Sequence, residues 1–493
     1  MKKFVIPALA AMTFLASCSF LDKQPLGSIT PENFFQNADD AEAGLTAGYD
    51  ALQGTGAYGQ DLNVVGEMPS DNCTSTNGDV NAMDKIIWTP TTSQVNNVYR
   101  DAYLAANRAN IVLKYVPTIT MDTVRRRQIL GEANFIRALS YFNLVRMYGG
   151  VPLRLTPTEG GTAAEVNLAR STAEQVYDQV VADLQRAAIQ MPTANTNRAT
   201  RNAANALLAR VQLTRRNWAA AQAAANQVIT AGVTLNNTFK SLYPAENKGP
   251  ESLFEIQYAG TADGGNILPD LTLPSPLATY SFPKFNIPTK ELLTYADTVN
   301  DRRWAYNGTV SSAAGKVIGR DHASYIDGKP GVGGNSNDVG PFAFKWTSIG
   351  GNFSSTDNTY VLRYAEVLLA YAEAVNEQTG PSTDALSKLN QVRERAGLTA
   401  LTLSSAQAAN KQALRNEIDR QRRLELAFEG ERWFDLLRYA RHTIADASAT
   451  HAVTALDIIA QQRGGARNVN YLLFPLPQGE INTNPLVQQN PGY

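Results

Sequence analysis

Cysteine and histidine are scarce in this chain of 493 residues, which contains two cysteines and three histidines. Two cysteines exclude a disulfide framework. The histidines form no H-E-x-x-H motif and do not pair with a cysteine at metal-ligand spacing, so we expect no zinc site. The G-x-S-x-G and Walker motifs are also absent. These absences predict a protein without metal or cofactor that is not an enzyme. A chance pair of carboxylates, as glycosidases use, is nevertheless always available among 45 acidic residues.

An excess of charge of one sign is missing too. The formal net charge is −1 and the isoelectric point is about 6.4, so the composition gives no electrostatic case for nucleic-acid binding. Long apolar runs are absent after the N-terminus, and no window reaches 18 uninterrupted apolar residues. We therefore expect no membrane-spanning helix in the mature chain.

The first residues have the pattern of a secretory signal. Lys2 and Lys3 precede an apolar run from Phe4 to Ala16, which is too short to span a bilayer. The run ends in Leu-Ala-Ser followed by Cys18, which resembles the bacterial lipobox. Residues 1–17 are therefore predicted to be a lipoprotein signal peptide, with Cys18 lipidated and the mature protein held at a membrane. The alternative is a plain secretory signal followed by an accidental cysteine.

Helical periodicity and its interruption divide the rest of the chain. Apolar residues recur at helical spacing through most of residues 18–232, with the stretch from Ile129 to Tyr148 as the clearest amphipathic stripe. Ser171 and Glu174 predict a capping box. Residues 60–92 are polar and predict a long loop, of a kind that is usually functional.

The second half begins with a change of composition. In residues 233–358 glycine and proline punctuate short β-like runs and many aromatic residues, which predicts an irregular lobe. Helical order returns at Tyr360 and continues to about residue 450. Residues 451–493 predict a tail that wraps the surface without a fold of its own. Within this part, Asp419–Arg438 predicts one helix whose charged side chains pair on one flank. The predicted divisions are thus 18–232, an N-terminal helical domain, and 233–493, a C-terminal domain.

Three stretches carry a resemblance to a known family. Gly131–Leu153, Thr359–Glu377 and Leu424–Arg438 resemble the hallmarks of the SusD/RagB family of nutrient-uptake outer-membrane lipoproteins. One departure is Gln421, which stands where the family usually has a glutamate. The resemblance implies a mostly α fold in which tetratricopeptide-like helix pairs support the irregular binding lobe.

The resemblance also implies a function. It places the protein on the surface of a Gram-negative outer membrane, where it captures oligosaccharide and delivers it to a SusC-like TonB-dependent transporter. A peptide-capturing member and a structural lid of the transporter without its own ligand affinity are the alternatives.

Sugar rings stack on aromatic side chains, and their hydroxyl groups pair with polar ones. On this basis we predict six ligand-binding residues in the loop at 54–92 and the lobe: Trp88, Tyr306, Tyr325, Trp304, Asp71 and Asn72. For Trp88 and Trp304 the alternative is a structural place in the core.

Overall fold

The computed structural model describes residues 30–493 with gaps. The gaps are residues 195–196, 244–248, 261–263, 275–276, 279–282, 306–307, 313–314, 320–322, 328–340, 347–352, 441–450, 452 and 466. Cys18 and Tyr306 therefore lie outside the described residues, as does the side chain of Tyr325.

The chain is mostly helical, as predicted. The first half contains α1 Pro31–Phe34, α2 Ala38–Asp50, α3 Asp61–Glu67, α4 Asn81–Asp84, α5 Ser93–Tyr115, α6 Thr123–Tyr148, α7 Ala163–Val166, α8 Ala173–Gln190, α9 Arg201–Thr214 and α10 Trp218–Ile229. The second half contains α11 Leu268–Thr272, α12 Lys290–Tyr295, α13 Tyr364–Thr379, α14 Thr383–Arg395, α15 Lys411–Leu426, α16 Arg432–Ala440, α17 Ala455–Gln462 and α18 Gln478–Thr483.

Short strands form three small antiparallel sheets. The strands are β1 Cys73–Thr74, β2 Ser252–Ile256, β3 Ile287–Pro288, β4 Gly308–Ser312, β5 Gly315–Gly319, β6 Ala323–Asp327, β7 Phe342–Ala343 and β8 Thr359–Arg363. β1 pairs with β3, β2 pairs with β8, and β4 to β7 form one sheet in chain order. The family stretch Thr359–Glu377 therefore begins with the strand β8, and its predicted helix starts only at Tyr364.

A continuous stack of helices supports the lobe. α5, α6, α8, α9, α10, α13 and α14 pack one against the next in this order. α10 and α13 pack against each other although the whole lobe lies between them in the sequence. The lobe is therefore an insertion between two neighbouring helices of the scaffold. One hydrophobic core joins residues from both halves, including Trp88 and Trp433. The division of the sequence near residue 232 stays a prediction.

Local signals set several helix ends, and one prediction is wrong by a residue. The capping box of α8 uses Thr172, whose hydroxyl accepts from the backbone N–H of Gln175 at 3.2 Å, and not Ser171. α14 begins at a Ser382 cap and is followed by Gly397 at φ +81°. That φ is in the left-handed region, which favours glycine.

Three predictions about exposure and continuity are wrong. α6 is buried on every side from Gly131 to Tyr148, so it has no single apolar stripe. The stretch 60–92 is not one long loop, because it contains α3 and α4, and every residue of α3 is buried. The tail contains α17 and α18, and its Phe474 and Leu476 are buried.

The stretch 419–438 is two helices and not one. α15 ends at Leu426, and a turn precedes α16 at Arg432. Phe428 at φ +68° and Gly430 at φ +81° make this turn. Of the charge pairs predicted at three- or four-residue spacing, Asp435 and Arg438 do pair, with Oδ1 and Nε 2.8 Å apart. Arg422 instead pairs across the turn, where its Nε lies 3.0 Å from Asp435 Oδ2.

Among the described helices, none is both long enough and apolar enough to cross a membrane. No group of three or more histidine, cysteine, aspartate or glutamate side chains in the described ranges could hold a metal ion.

Candidate functional site

Of the four predicted ligand residues whose side chains are described, Trp88, Trp304 and Asn72 are buried and Asp71 is partly buried, with 9% of its side chain exposed, which corrects their assignment as surface contacts. Trp88 is 2% exposed, and its ring centroid lies 4.4 Å from that of Phe474. Its indole N–H donates to the hydroxyl of Tyr493 at 2.6 Å. Trp304 is fully buried and donates to the carbonyl of Leu424 at 3.3 Å. Both tryptophans are therefore part of the core, which was the alternative to ligand binding.

Asp71 and Asn72 serve the turn between α15 and α16. The Asp71 carboxylate lies 2.8 Å from Nε of Arg432. Burial alone would raise the pKa of Asp71, but Arg432 and Arg423 outweigh it and lower the pKa. The Asn72 amide donates to Glu67 Oε1 at 2.7 Å, and its oxygen accepts from Arg423 Nε at 2.9 Å. Neither side chain is available to a ligand hydroxyl in this conformation.

An open groove lies instead where the lobe meets the helices. We call it the lobe groove; it has a volume of about 290 Å³. Three segments line it: the C-terminal end of α2 with the turn after it, the loop before α9, and β2 with the residues that follow it. Its polar side chains include Thr46, Tyr49, Asp50, Gln53, Asn197, Arg198, Glu255, Gln257 and Tyr258.

The floor of the lobe groove is held by buried hydrogen bonds. The Tyr49 hydroxyl donates to Glu132 Oε2 at 2.8 Å and accepts from the N–H of Ala199 at 3.1 Å. The Tyr258 hydroxyl donates to the carbonyl of Tyr58 at 3.2 Å. Burial raises the pKa of both Tyr49 and Tyr258, so both phenols stay neutral. These contacts fix the two rings before any ligand arrives.

The wall of the groove carries exposed polar groups. The side chain of Asp50 is 59% exposed and pairs with Arg108 at 2.6 Å. Arg198 donates to Thr46 Oγ1 at 2.9 Å and lies over the ring of Tyr49 at 5.6 Å. Asn197 and Thr46 are exposed. A carboxylate, amides and a hydroxyl thus line one groove above fixed rings, which suits a ligand with many hydroxyl groups.

Sequence signals for the lobe groove are weak. Thr46 and Asp50 lie on the polar flank of α2 and Gln53 lies in the turn after it, and any solvated helix flank has the same pattern. Asn197 and Arg198 lie in a connecting loop without a motif. The residues of β2 that line the groove lie inside the predicted lobe, so the sequence predicted this one side of the groove.

Two family models match separate parts of the chain. Residues 301–493 match the SusD family, and residues 19–213 match a family described as starch-binding associating with outer membrane.

Relatives match over nearly the whole length. A SusD-like protein P2 of Formosa agariphila is 28% identical, with all of both chains covered. The starch-binding protein SusD of Bacteroides thetaiotaomicron is 24% identical over 87% of this chain and 84% of its own length. Among solved structures, a laminarin-binding SusD-like protein superposes with a TM-score of 0.72 at 24% identity, covering 93% of this chain and 100% of its own. This last likeness shows the fold.

Proposed function

This chain belongs to the SusD/RagB family, and from that premise we propose that it captures oligosaccharide at the cell surface and delivers it, uncleaved, to a SusC-like TonB-dependent transporter. The observation that carries the proposal is the lobe groove, which joins fixed rings to exposed hydrogen-bonding groups. The relatives named for starch and laminarin make glucans the first ligands to test.

The chemistry of the groove supports binding without cleavage. Glycoside hydrolysis needs two carboxyl groups that flank the scissile bond. The groove has two carboxylates, but Glu255 is 5% exposed and accepts from Ser252 at 2.8 Å and Asn358 at 3.1 Å. It holds β2 and β8 together, which leaves Asp50 as the exposed carboxylate of the groove. Such an arrangement suits hydroxyl groups, and the described residues of the groove supply no pair of exposed carboxyl groups to act as acid and nucleophile.

The anchor is the second part of the proposal. We expect Cys18→Ala to abolish lipidation, because the thiol that takes the diacylglycerol is gone, and to move the protein from the membrane to the soluble fraction. Labelling cells with an alkyne fatty acid measures this directly, with Cys73→Ala as the matched control that keeps its label. The labelled wild type, extracted in mild detergent, should co-purify with the transporter. An unlabelled wild type would overturn the anchor.

The glycan site is tested by an exposed aspartate. We expect Asp50→Ala to weaken binding of maltohexaose or laminarihexaose about tenfold, since a hydrogen bond to a charged group contributes about 1.5–3 kcal/mol. Isothermal titration of the soluble form, begun at Ser19, gives the dissociation constants. Asp178→Ala is the matched control: Asp178 is 67% exposed and lies 2.9 Å from Arg215, outside the groove.

Other outcomes of this titration decide among the alternatives. Binding of peptides and of no glycan indicates the peptide-capturing role. Binding of neither, with co-purification retained, indicates the lid without affinity of its own. New sugar products in the mixture would contradict the non-catalytic role.

A further inference from the structure

The lobe groove presents more negative than positive groups to a ligand. Among the described residues that line it, the charged side chains are Asp50, Arg198 and Glu255, which are two carboxyl groups and one guanidinium group. Asp50 is the exposed one of the two carboxyl groups. An acidic ligand can therefore gain from charge only if Arg198 is available to pair with it.

Arg198 is already held by the scaffold. Its Nη1 lies 2.8 Å from Oε2 of Glu42, and its Nη2 donates to the Thr46 hydroxyl at 2.9 Å. That hydroxyl in turn donates to the backbone carbonyl of Glu42 at 2.8 Å. Glu42 and Thr46 lie one turn apart on the same flank of α2. The charge of Arg198 is thus balanced by a carboxylate that does not line the groove.

Glu42 is a charged bridge between two guanidinium groups. Arg125 of α6 contacts both of its oxygens, with Nε 2.5 Å from Oε1 and Nη2 2.9 Å from Oε2. The hydrogen bond from Arg125 lowers the pKa of Glu42 and outweighs the opposite effect of partial burial, and Arg198 adds to the lowering. Glu42 is therefore ionised at neutral pH and supplies the counter-charge of Arg198.

We propose that the lobe groove selects neutral oligosaccharides over acidic ones, and that Glu42 is a positioning residue which sets this selectivity by keeping Arg198 paired. This inference rests on the proposed function and adds to it the charge class of the ligand. A uronate or sulfate group would lose its water on entering the groove and would find no unpaired cation among the described lining residues. It would also lie near Asp50, and like charges brought together at an interface are unfavourable.

Glu42→Gln tests the inference, because the amide keeps the shape of the side chain and removes its charge. Isothermal titration of the soluble form, begun at Ser19, uses maltohexaose and laminarihexaose as neutral probes and hexagalacturonate as the acidic probe. The wild type should bind hexagalacturonate at least about tenfold more weakly than the better neutral probe. In Glu42→Gln the ratio of acidic to neutral affinity should rise about tenfold, because a charge-assisted hydrogen bond to Arg198 becomes available. Added salt should reduce this gain, since a pair between partly exposed charges is screened.

Two further variants identify the group that is responsible. Glu174→Gln is the matched control, because Glu174 is 72% exposed and pairs with Arg215 at 2.9 Å outside the groove, so its affinity ratio should equal that of the wild type. A chain that carries both Glu42→Gln and Arg198→Ala should lose the gain. A loosened α2 would weaken both classes of ligand and would not raise the ratio, and Tyr49 still joins α2 to Glu132 of α6 in these variants.

The outcomes separate this inference from the proposed function. A wild type that binds hexagalacturonate as tightly as a neutral probe, or more tightly, overturns the inference alone, because a glycan is still captured. An unchanged affinity ratio in Glu42→Gln, or a gain that persists without Arg198, also overturns it alone. Binding of none of the three probes overturns both proposals.

Discussion

Arg363→Met should lower the free energy of unfolding by about 3–5 kcal/mol, because it removes one cation from a buried cluster of charges and leaves a carboxylate uncompensated. Arg363 is 1% exposed and lies 2.9 Å from Glu251, 2.6 Å from Glu425 and 2.8 Å from Glu429. Burial alone would lower its pKa, but the three carboxylates raise the pKa well above its ordinary value. Methionine fills similar space and leaves the cluster one positive charge short, with Arg395 still paired to Glu251 and Glu425 and Lys345 still paired to Glu429.

Urea denaturation of the soluble form measures this loss. Arg467→Met is the control, because the Arg467 side chain is 62% exposed in its pair with Asp457 and such pairs contribute less than about 1 kcal/mol. Equal effects in the two variants would show that the cluster does not hold the fold together.

The same variant has a predicted pH dependence. Burial raises the pKa of Glu429, but Arg363 and Lys345 outweigh it and lower the pKa below the ordinary 4.5. A lowered carboxyl pKa stabilises the folded state above pH 4.5, and this contribution is lost as the pH falls through the folded pKa. Arg363→Met loses part of this contribution, so its deficit against the wild type should shrink as the pH falls below 4.5.

Gly66→Ala should be as damaging, through backbone crowding rather than charge. A Cβ atom at Gly66 would lie 1.8 Å from the carbonyl oxygen of Gly430, which is backbone in a turn at φ +81°. That turn is tied to α3, because Glu67 accepts from the N–H of Phe428 at 2.9 Å and of Gly430 at 3.2 Å. Neither side can move without breaking these bonds. We expect a loss of about 3 kcal/mol or more, at the upper end for overpacking.

Gly78→Ala is the matched control, since a Cβ atom there has nothing within 4 Å. Its free energy of unfolding should change by about 0.5 kcal/mol or less, as for surface substitutions. If Gly66→Ala unfolds at the same urea concentration as Gly78→Ala, the result would contradict the close contact between Gly66 of α3 and the Gly430 carbonyl of the turn.

The helical scaffold was predictable because its signals are local. The pair α9 and α10, the Ser382 cap and Gly397 all appear in the sequence as periodicity, cap residues and stop residues. The family resemblance depends on such stretches as well. Short strands were partly predictable. β2 lies in the stretch 233–358, where short β-like runs are predicted, whereas β8 lies at the start of a stretch whose pattern predicts a helix.

Burial was not predictable, since it depends on partners far away in the chain. Trp88 stands in a polar stretch and looks exposed, but its hydrogen-bond partner Tyr493 is 405 positions away. Asp71 pairs with Arg432, 361 positions away. The break after Leu426 likewise depends on a distant contact, because Glu67 of α3 accepts hydrogen bonds from the turn. Hydrophobic periodicity carries no information about such a contact.

By itself, the sequence determined the helix pairs, the irregular lobe between them and the family. Only the tertiary structure decided which polar and aromatic side chains face solvent. It placed Trp88, Trp304 and Asn72 in the interior and left the lobe groove, which is lined by residues from separate segments. The physical reason is that helix formation follows from neighbours in the chain, whereas a groove exists only where distant segments meet and leave space between them.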